Sequence, residues 1–521
     1  MYIPFFSTGM VYLQITGKSF FLRILNILAA LLIPACQVLS QGPEMEWHEG
    51  FGTGSEEHVH EGFQTKDGGF LGVGQTYEGY SDFMDVLVVK ADSAGNLEWQ
   101  VIIGTPHEFD IGICALEASD GFYIGGGLYS AIEERQMRGL VRLDQDGSVL
   151  WKRTYPGIRN GAIRGIDSTF DGNLITTGYT GCREAGFVFI ADDADGFAMK
   201  TDQKGSIIWD KSISAPQGTK IREENDSTIA IASTKWIYNG GDYQNVVLIK
   251  TDTAGNETWT KSYGGKNRNQ CFDFDLTRDG GYIFAGHTRG YGVENWDYLL
   301  LKVDAEGNEE WVKTFGQPRG YNPEYIHDES YGVRQTPDGG YIIAGGSGDE
   351  YAYSECGHPS GCSDEWKAYL VKTDSMGNRL WEGVYPTTPV GNNAAEYIGL
   401  TADGGYIVFT DTDSESPPAP NNFGFMKLAS DTITVYNHIT PIPGLEGRVN
   451  LFPNPASDRI ILNRNLEMVN VYSFTGREIL TISDFQANHE INMEHLVNGI
   501  YFIRVADDRQ EFTKKLIIMK K

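Results

Sequence analysis

The side chains able to do chemistry in this chain do not fall into a catalytic order. Among 521 residues there are six cysteines, ten histidines and 70 acidic groups, yet no GxSxG, HExxH or P-loop pattern. Three short clusters remain. Cys356 and Cys362 lie close together in SECGHPSGCSDEW, and in an oxidising compartment that loop predicts a local disulfide. His358 between them makes a metal site the alternative, but a fourth ligand is missing. ADDADGF places Asp192, Asp193 and Asp195 together; calcium would suit such carboxylates, but the full calcium-loop pattern is absent and an acidic solvated turn fits better. His58 and His60 share one side of a strand without a visible third ligand. The expectation is therefore no cofactor, with calcium the one candidate. Cys114 and Cys271 sit in apolar strand-like segments and read as buried thiols. No two carboxylates can be paired as acid and base, since their separation is not legible.

Aromatic side chains beside Asn, Asp and Gly make a second set. They are Tyr77 and Tyr80, Trp236 and Tyr238, Tyr291 and Trp296, Tyr321 and Tyr325, and Tyr351 and Tyr353. Such rings stack on sugars or anchor a protein partner. The alternative for any one of them is that it covers the end of a sheet.

These residues are positioned by a repeat. DGG-type turns recur at Asp67, Asp120, Asp171, Asp226, Asp279, Asp338 and Asp403. A second phrase, such as KTDTAGNETW, pairs an Asp with a Trp at constant spacing: 92 and 99, 144 and 151, 202 and 209, 252 and 259, 304 and 311, 374 and 381. Asp bonds the backbone N–H groups ahead of it and Gly accepts positive φ, so both phrases are hairpin turns. Each unit contains four strand-sized alternating segments. Seven such units predict an all-β chain, a seven-bladed β-propeller over 41–436. Trp47 matches the last strand of a unit but precedes the first full one, whereas the seventh unit lacks its Trp phrase. The amino-terminal strand is thus expected to complete the last blade and cover its open edge; TITVY, 432–436, is the rival strand. The tryptophans are expected to pack between neighbouring sheets. Their phrase resembles the tryptophan motif of quinoprotein-type propellers, one residue shorter, and bears on blade construction alone. First and third turns are short and share one face, so the length variation gathers on the other, where binding usually resides.

Composition narrows the partners. A formal charge of −28 repels phosphate backbones, which excludes nucleic acid as an expected ligand. Lys18 and Arg23 precede the apolar run Ile24–Pro34 and then VLSQG, the pattern of a secretory signal peptide over 1–40 and of entry into the Sec translocon. A lipidated Cys36 is the alternative.

A change of style follows a linker, 437–447, that carries Pro441 and Pro443. Residues 448–521 contain Pro453-Asn454-Pro455, Gly476-Arg477, Gly499-Ile500-Tyr501-Phe502 and terminal lysines. This segment closely resembles the type A carboxy-terminal sorting domain of type IX secretion cargo in Bacteroidota. The resemblance implies a small Ig-like β-sandwich read by the outer-membrane translocon and then removed. It implies a secreted or cell-surface protein, released or attached to surface lipopolysaccharide. The functional expectation is a binding propeller for a glycan or protein ligand. Its alternatives are a polysaccharide hydrolase or lyase with its site on the long-loop face, and a quinoprotein-like redox enzyme, which the blade number and altered motif disfavour.

Overall fold

The computed structural model describes residues 40–77, 83–237, 243–317, 326–349, 365–387, 391–413 and 421–431 of the repeat region, then 451–452, 456–462, 465–473, 478–487, 489–493, 496, 499–507, 510–518 and 520. The signal segment, TITVY, the linker, Pro453 to Pro455, Gly476, and the Cys356–Cys362 pair lie outside the described residues.

Each repeat folds as a four-stranded antiparallel meander. Blade 1 comprises Glu57–Gln64, Phe70–Tyr77, Met84–Ala91 and Leu97–Ile103. Blade 2 runs Ile111–Glu117, Phe122–Ser130, Arg135–Leu143 and Val149–Tyr155, and blade 3 Asn160–Ser168, Leu174–Cys182, Asp195–Thr201 and Ile207–Ser212. Blade 4 is Lys220–Asn225, Thr228–Ile237, Tyr243–Asp252 and Glu257–Tyr263. Blade 5 is Asp273–Leu276, Tyr282–Thr288, Asp297–Val303 and Glu309–Phe315, and blade 6 Ile326–Gln335, Tyr341–Asp349, Lys367–Thr373 and Arg379–Tyr385. Blade 7 draws Asn393–Leu400, Tyr406–Thr412 and Asn422–Leu428 from the end of the repeat region and its outer strand, Met45–Phe51, from the beginning. Trp47 stands opposite Lys427 and Phe51 opposite Phe423. Consecutive blades pack face to face, and blade 7 packs on blade 1. The chain's own start therefore closes the ring. Apolar clusters lie between neighbouring sheets; Val59, Phe70 and Leu87 of blade 1, for instance, meet Phe409, Phe423 and Phe425 of blade 7.

Two devices recur from blade to blade. The first is a buried cation. A cation near the end of each blade's third strand, in six of them two residues before the turn aspartate, points under the neighbouring hairpin. Lys90 reaches Asp67 at 3.1 Å, Lys200 reaches Asp171 at 2.7 Å, Lys302 reaches Asp279 at 2.9 Å, Lys372 reaches Asp338 at 2.8 Å and Lys427 reaches Asp403 at 2.9 Å. Arg142 pairs with Asp120 in the same way, and Lys250 turns to Glu224. Burying these cations is tolerable because carboxylates satisfy them, joined by a strand-end carbonyl at Lys90, Arg142, Lys302, Lys372 and Lys427. The second device is the tryptophan. The rings do sit between blades, but most are half-buried at the outer rim, not sandwiched in the core. The reason is their place on the outermost strand, where each covers the turn glycine of the next blade. Trp209 Nε1 donates to Thr253 O at 3.0 Å, and a Cβ added at Gly255, whose φ is 80°, would stand 2.7 Å from the indole. Trp99 repeats this against Gln145 and Gly147. Trp381, which has no such turn ahead of it, is buried and covered by Gly42. Tyr385 Oη donates to Pro43 O there, as Tyr263 Oη donates to Gly307 O between ordinary blades. The amino-terminal segment thus replaces a missing hairpin as well as a missing strand.

The carboxy-terminal segment forms two sheets. One joins Leu451–Phe452, Arg459–Leu462 and Glu490–Asn492; the other joins Glu478–Phe485, Leu466–Ser473, Gly499–Asp507 and Gln510–Ile518. Ile460, Leu462 and Ile491 of the first meet Val469, Val471, Ile503 and Leu516 of the second in one core, a small sandwich. Gly499 opens a strand, and Tyr501 is buried in this core.

Candidate functional site

The innermost strand of most blades carries an irregularity that aims one side chain into the central channel. Register skips one residue at His60, Ile113, Arg164, Tyr331 and Glu396. A bulge of this kind leaves its extra residue unpaired and re-aims it. Glycines of the second strand make room. A Cβ at Gly74, Gly126, Gly178 or Gly345 would fall within about 2 Å of a carbonyl oxygen of the bulged strand. Thr219 and Phe272 fill the equivalent places just ahead of their strands in blades 4 and 5. The seven side chains converge on one cavity of about 60 Å³, together with Lys220, Tyr397, Phe187 and Phe189. By the ≈ 10–15 Å³ that a single water needs, it has room for about four to six water-sized groups.

Phe187 and Phe189 come from the connection between the second and third strands of blade 3, on the long-loop face. That connection is pinned over the channel. Arg164 donates to the carbonyl oxygens of Val188 and Phe189, Gly186 N donates to Gln136, and Ala191 N donates to Gln217. The phenyl of Phe187 stacks on His60 at 4.3 Å, and Phe189 lies 4.7 Å from Phe272 and 6.0 Å from Tyr331. Below this layer the channel is closed by ion pairs, Lys220 with Glu61 and Arg334 with Asp273; Tyr397 lies under both cations. The site is a cup with a charged floor and an aromatic rim.

The carboxylates around the cup are unequal. Glu61 is tied to Lys220. Glu329 lies 2.9 Å from His327 Nε2 and accepts from Tyr331 Oη; burial opposes its ionisation, but the two neighbouring histidines outweigh it and hold the group at about 2. Asp411 is held by His58 at 2.5 Å and by the amide of Val59. Glu396 has no hydrogen bond or ion pair to any described residue, and burial, with Asp411 and Glu329 nearby, pushes its carboxyl well above the usual range. His60 is pushed down to about 4 by burial and is neutral at physiological pH.

The expected site residues are scattered by comparison. Tyr77 ends a strand edge-on to His58 at 5.8 Å. Trp236 is half-buried with Arg268 over its ring, and Tyr291 is 45% exposed at a backbone φ of 57°. Trp296 departs from the expectation of an open stacking surface: it is buried, stacked on His327 and edge-on to His287. Tyr80, Tyr238, Tyr321, Tyr325, Tyr351 and Tyr353 lie outside the described residues. His58 and His60 do not converge, since the bulge turns His60 into the channel while His58 faces Asp411. Asp193 is engaged by Arg183 and Cys182. Among the described residues no three metal-ligating side chains cluster. The cavity residues went unread, although a signal existed. Each lies seven before its turn aspartate: 60 and 67, 113 and 120, 164 and 171, 219 and 226, 272 and 279, 331 and 338, 396 and 403. The residue types at that place share nothing, so only the register marks them.

Residues 450–519 match the secretion system C-terminal sorting domain. The tail is thus a type IX sorting domain; it implies export to the cell surface or beyond and engagement of the type IX machinery. Among curated proteins no match is found. Solved structures similar to the chain include the Pan2 WD40 domain of Neurospora crassa, 11% identical, covering 72% of this chain and 92% of that one with a TM-score of 0.44. PorZ, a surface component of the type IX system of Porphyromonas gingivalis, is 11% identical, covering 93% and 61% with a TM-score of 0.42. A protein of unknown function from Dyadobacter fermentans is 12% identical, covering 75% and 99% with a TM-score of 0.40. At such values these likenesses bear on neither ligand nor activity.

Proposed function

We propose that the propeller is a non-catalytic recognition module, delivered to the outer surface or the medium by its sorting tail, that takes a glycan or protein ligand on the long-loop face. The observation that supports this reading is the cup itself. It is built from every blade, yet three of its four nearby carboxylates are committed to cations or hydroxyls, which leaves no free pair for acid and base work on a glycosidic bond. A cavity of this size also admits a head group or a protruding side chain, not an extended polysaccharide. Trp236 and Tyr291, elsewhere on the long-loop face, supply further contact area.

The test is a glycan and surface-protein binding screen on the exported chain, run beside a hydrolysis screen on the same polysaccharides. Binding without turnover is expected, weakened by Tyr291→Ala or Trp236→Ala. Turnover that survives purification to homogeneity would replace this reading with the hydrolase.

A further inference from the structure

The cup has an internal asymmetry that names a ligand chemistry. Of its fixed cations, Lys220 is paired with Glu61, whereas Arg164 gives its Nη1 to two backbone carbonyls and lies over the Phe187 ring, its Nε without a hydrogen-bond partner among the described residues. His60 is neutral. The unmet carboxyl is that of Glu396, on the bulge of blade 7, facing a space whose walls include π-faces and ring edges beside Arg164 and Lys220. Phe272 and Tyr331 stand 5.2 Å apart at 78°, and Phe189 meets Tyr331 at 85°. Steeply inclined rings that share one cavity with a carboxylate make a space that water fills poorly and a compact cation fills well.

We propose that this cavity is an ammonium-binding site, in which an alkylammonium head group sits against Glu396 and the rings of Phe189, Phe272 and Tyr331. The inference rests on the recognition reading above and specifies what the centre of that face takes. Phe189, 38% exposed at the mouth, leaves a way in for a head group whose chain points outward. That geometry admits a free small cation or a lysine-like chain end on a larger ligand; the shared chemistry is the ammonium.

The charges that face Glu396 set the pH behaviour. They are Glu329 on blade 6, itself paired with His327, and Asp411 on blade 7, paired with His58, with Arg164, Lys220 and the neutral His60 on the other walls of the cup. Burial and the two carboxylates disfavour the ionised form of Glu396 in the empty cup. A cation reverses this, so binding expels the carboxyl proton to buffer and tightens as pH rises.

The experiment is calorimetric titration of the full chain with tetramethylammonium, choline and n-butylammonium, against 3,3-dimethyl-1-butanol as the neutral shape-mate of choline. Choline is expected to bind at least about tenfold more tightly than the neutral alcohol, with a heat that depends on the ionisation enthalpy of the buffer. Glu396→Gln should abolish that preference while keeping, or raising, the unfolding midpoint at neutral pH. Phe189→Ala should weaken choline about tenfold. n-Butylammonium binding more tightly than choline would assign the site to lysine-like chain ends, the reverse order to methylated small cations; both support the ammonium. Equal affinity for choline and the alcohol, unchanged choline binding in a folded Glu396→Gln variant, or no heat with any probe would overturn it. A glycan or protein ligand retained by wild type and Glu396→Gln alike, with no cation binding, would remove this site and leave the recognition reading standing.

Discussion

His58 should act as a pH-sensitive rivet at the ring closure. It sits on the first strand of blade 1 and its Nδ1 meets Asp411 Oδ2 of blade 7 at 2.5 Å, with Glu56 at 3.4 Å from Nε2. Burial alone would depress the imidazolium, but the Asp411 and Glu56 carboxylates outweigh it and lift the group from 6.5 to about 9. A shift of that size corresponds to about 3 kcal/mol of differential stabilisation. One quarter of the ring is open to solvent, so about 2 kcal/mol is the expected effect after screening. Because the folded-state value is raised, the contribution is complete below about 6.5 and disappears as pH rises through about 9. The assay is denaturant unfolding followed by tryptophan fluorescence, comparing wild type with His58→Gln at several pH values. The wild-type advantage should be about 2 kcal/mol near pH 6 and should shrink toward zero above about pH 9. A difference that does not vary over that range would show that Asp411 is held by the Val59 amide and the ladder alone, and would falsify the charged seam.

Other predictions concern the repeated devices and the tail. Gly255→Ala combines a φ of 80° with a methyl 2.7 Å from Trp209; a loss of about 2 kcal/mol is expected, and thermal unfolding identical to wild type would mean that the indole is free to move aside. Lys302→Met should cost only about 1 kcal/mol, because its partners Asp279 and Glu310 are 58% and 44% exposed and stay hydrated. Lys302→Ala should cost more, about 2 to 3 kcal/mol, through the cavity left beneath the hairpin; denaturation midpoints rank the two, and the reverse order would make the ion pairs dominant. Removal of residues 448–521 should leave the propeller folded inside the cell envelope but absent from surface and medium, as read by fractionation; surface display without the tail would refute the sorting role.

The architecture was legible because turn chemistry is local. Asp at the head of each hairpin and Gly at its positive-φ place repeat wherever a blade bends, and the spacing of Asp to Trp counts the outer strands. Even the ring closure could be read, since an orphaned Trp47 phrase and a seventh unit without one complement each other. The sorting tail was legible for a different reason: its ordered motifs are those of a known sorting-domain family, whatever each residue does in the sandwich. The cup was not legible by residue type. His60, Ile113, Arg164, Thr219, Phe272, Tyr331 and Glu396 have no common chemistry, and what unites them is a bulge that takes one residue out of the ladder and turns it inward. Whether a strand bulges depends on its partner, here on glycines such as Gly74 and Gly345 that let a carbonyl approach, and that pairing exists only once the sheet forms. Likewise the pairing of His58 with Asp411, 353 residues away, and the isolation of Glu396 are consequences of closing a ring. Sequence sets the local bends; circular closure decides which charges find partners and which one is left facing an empty space.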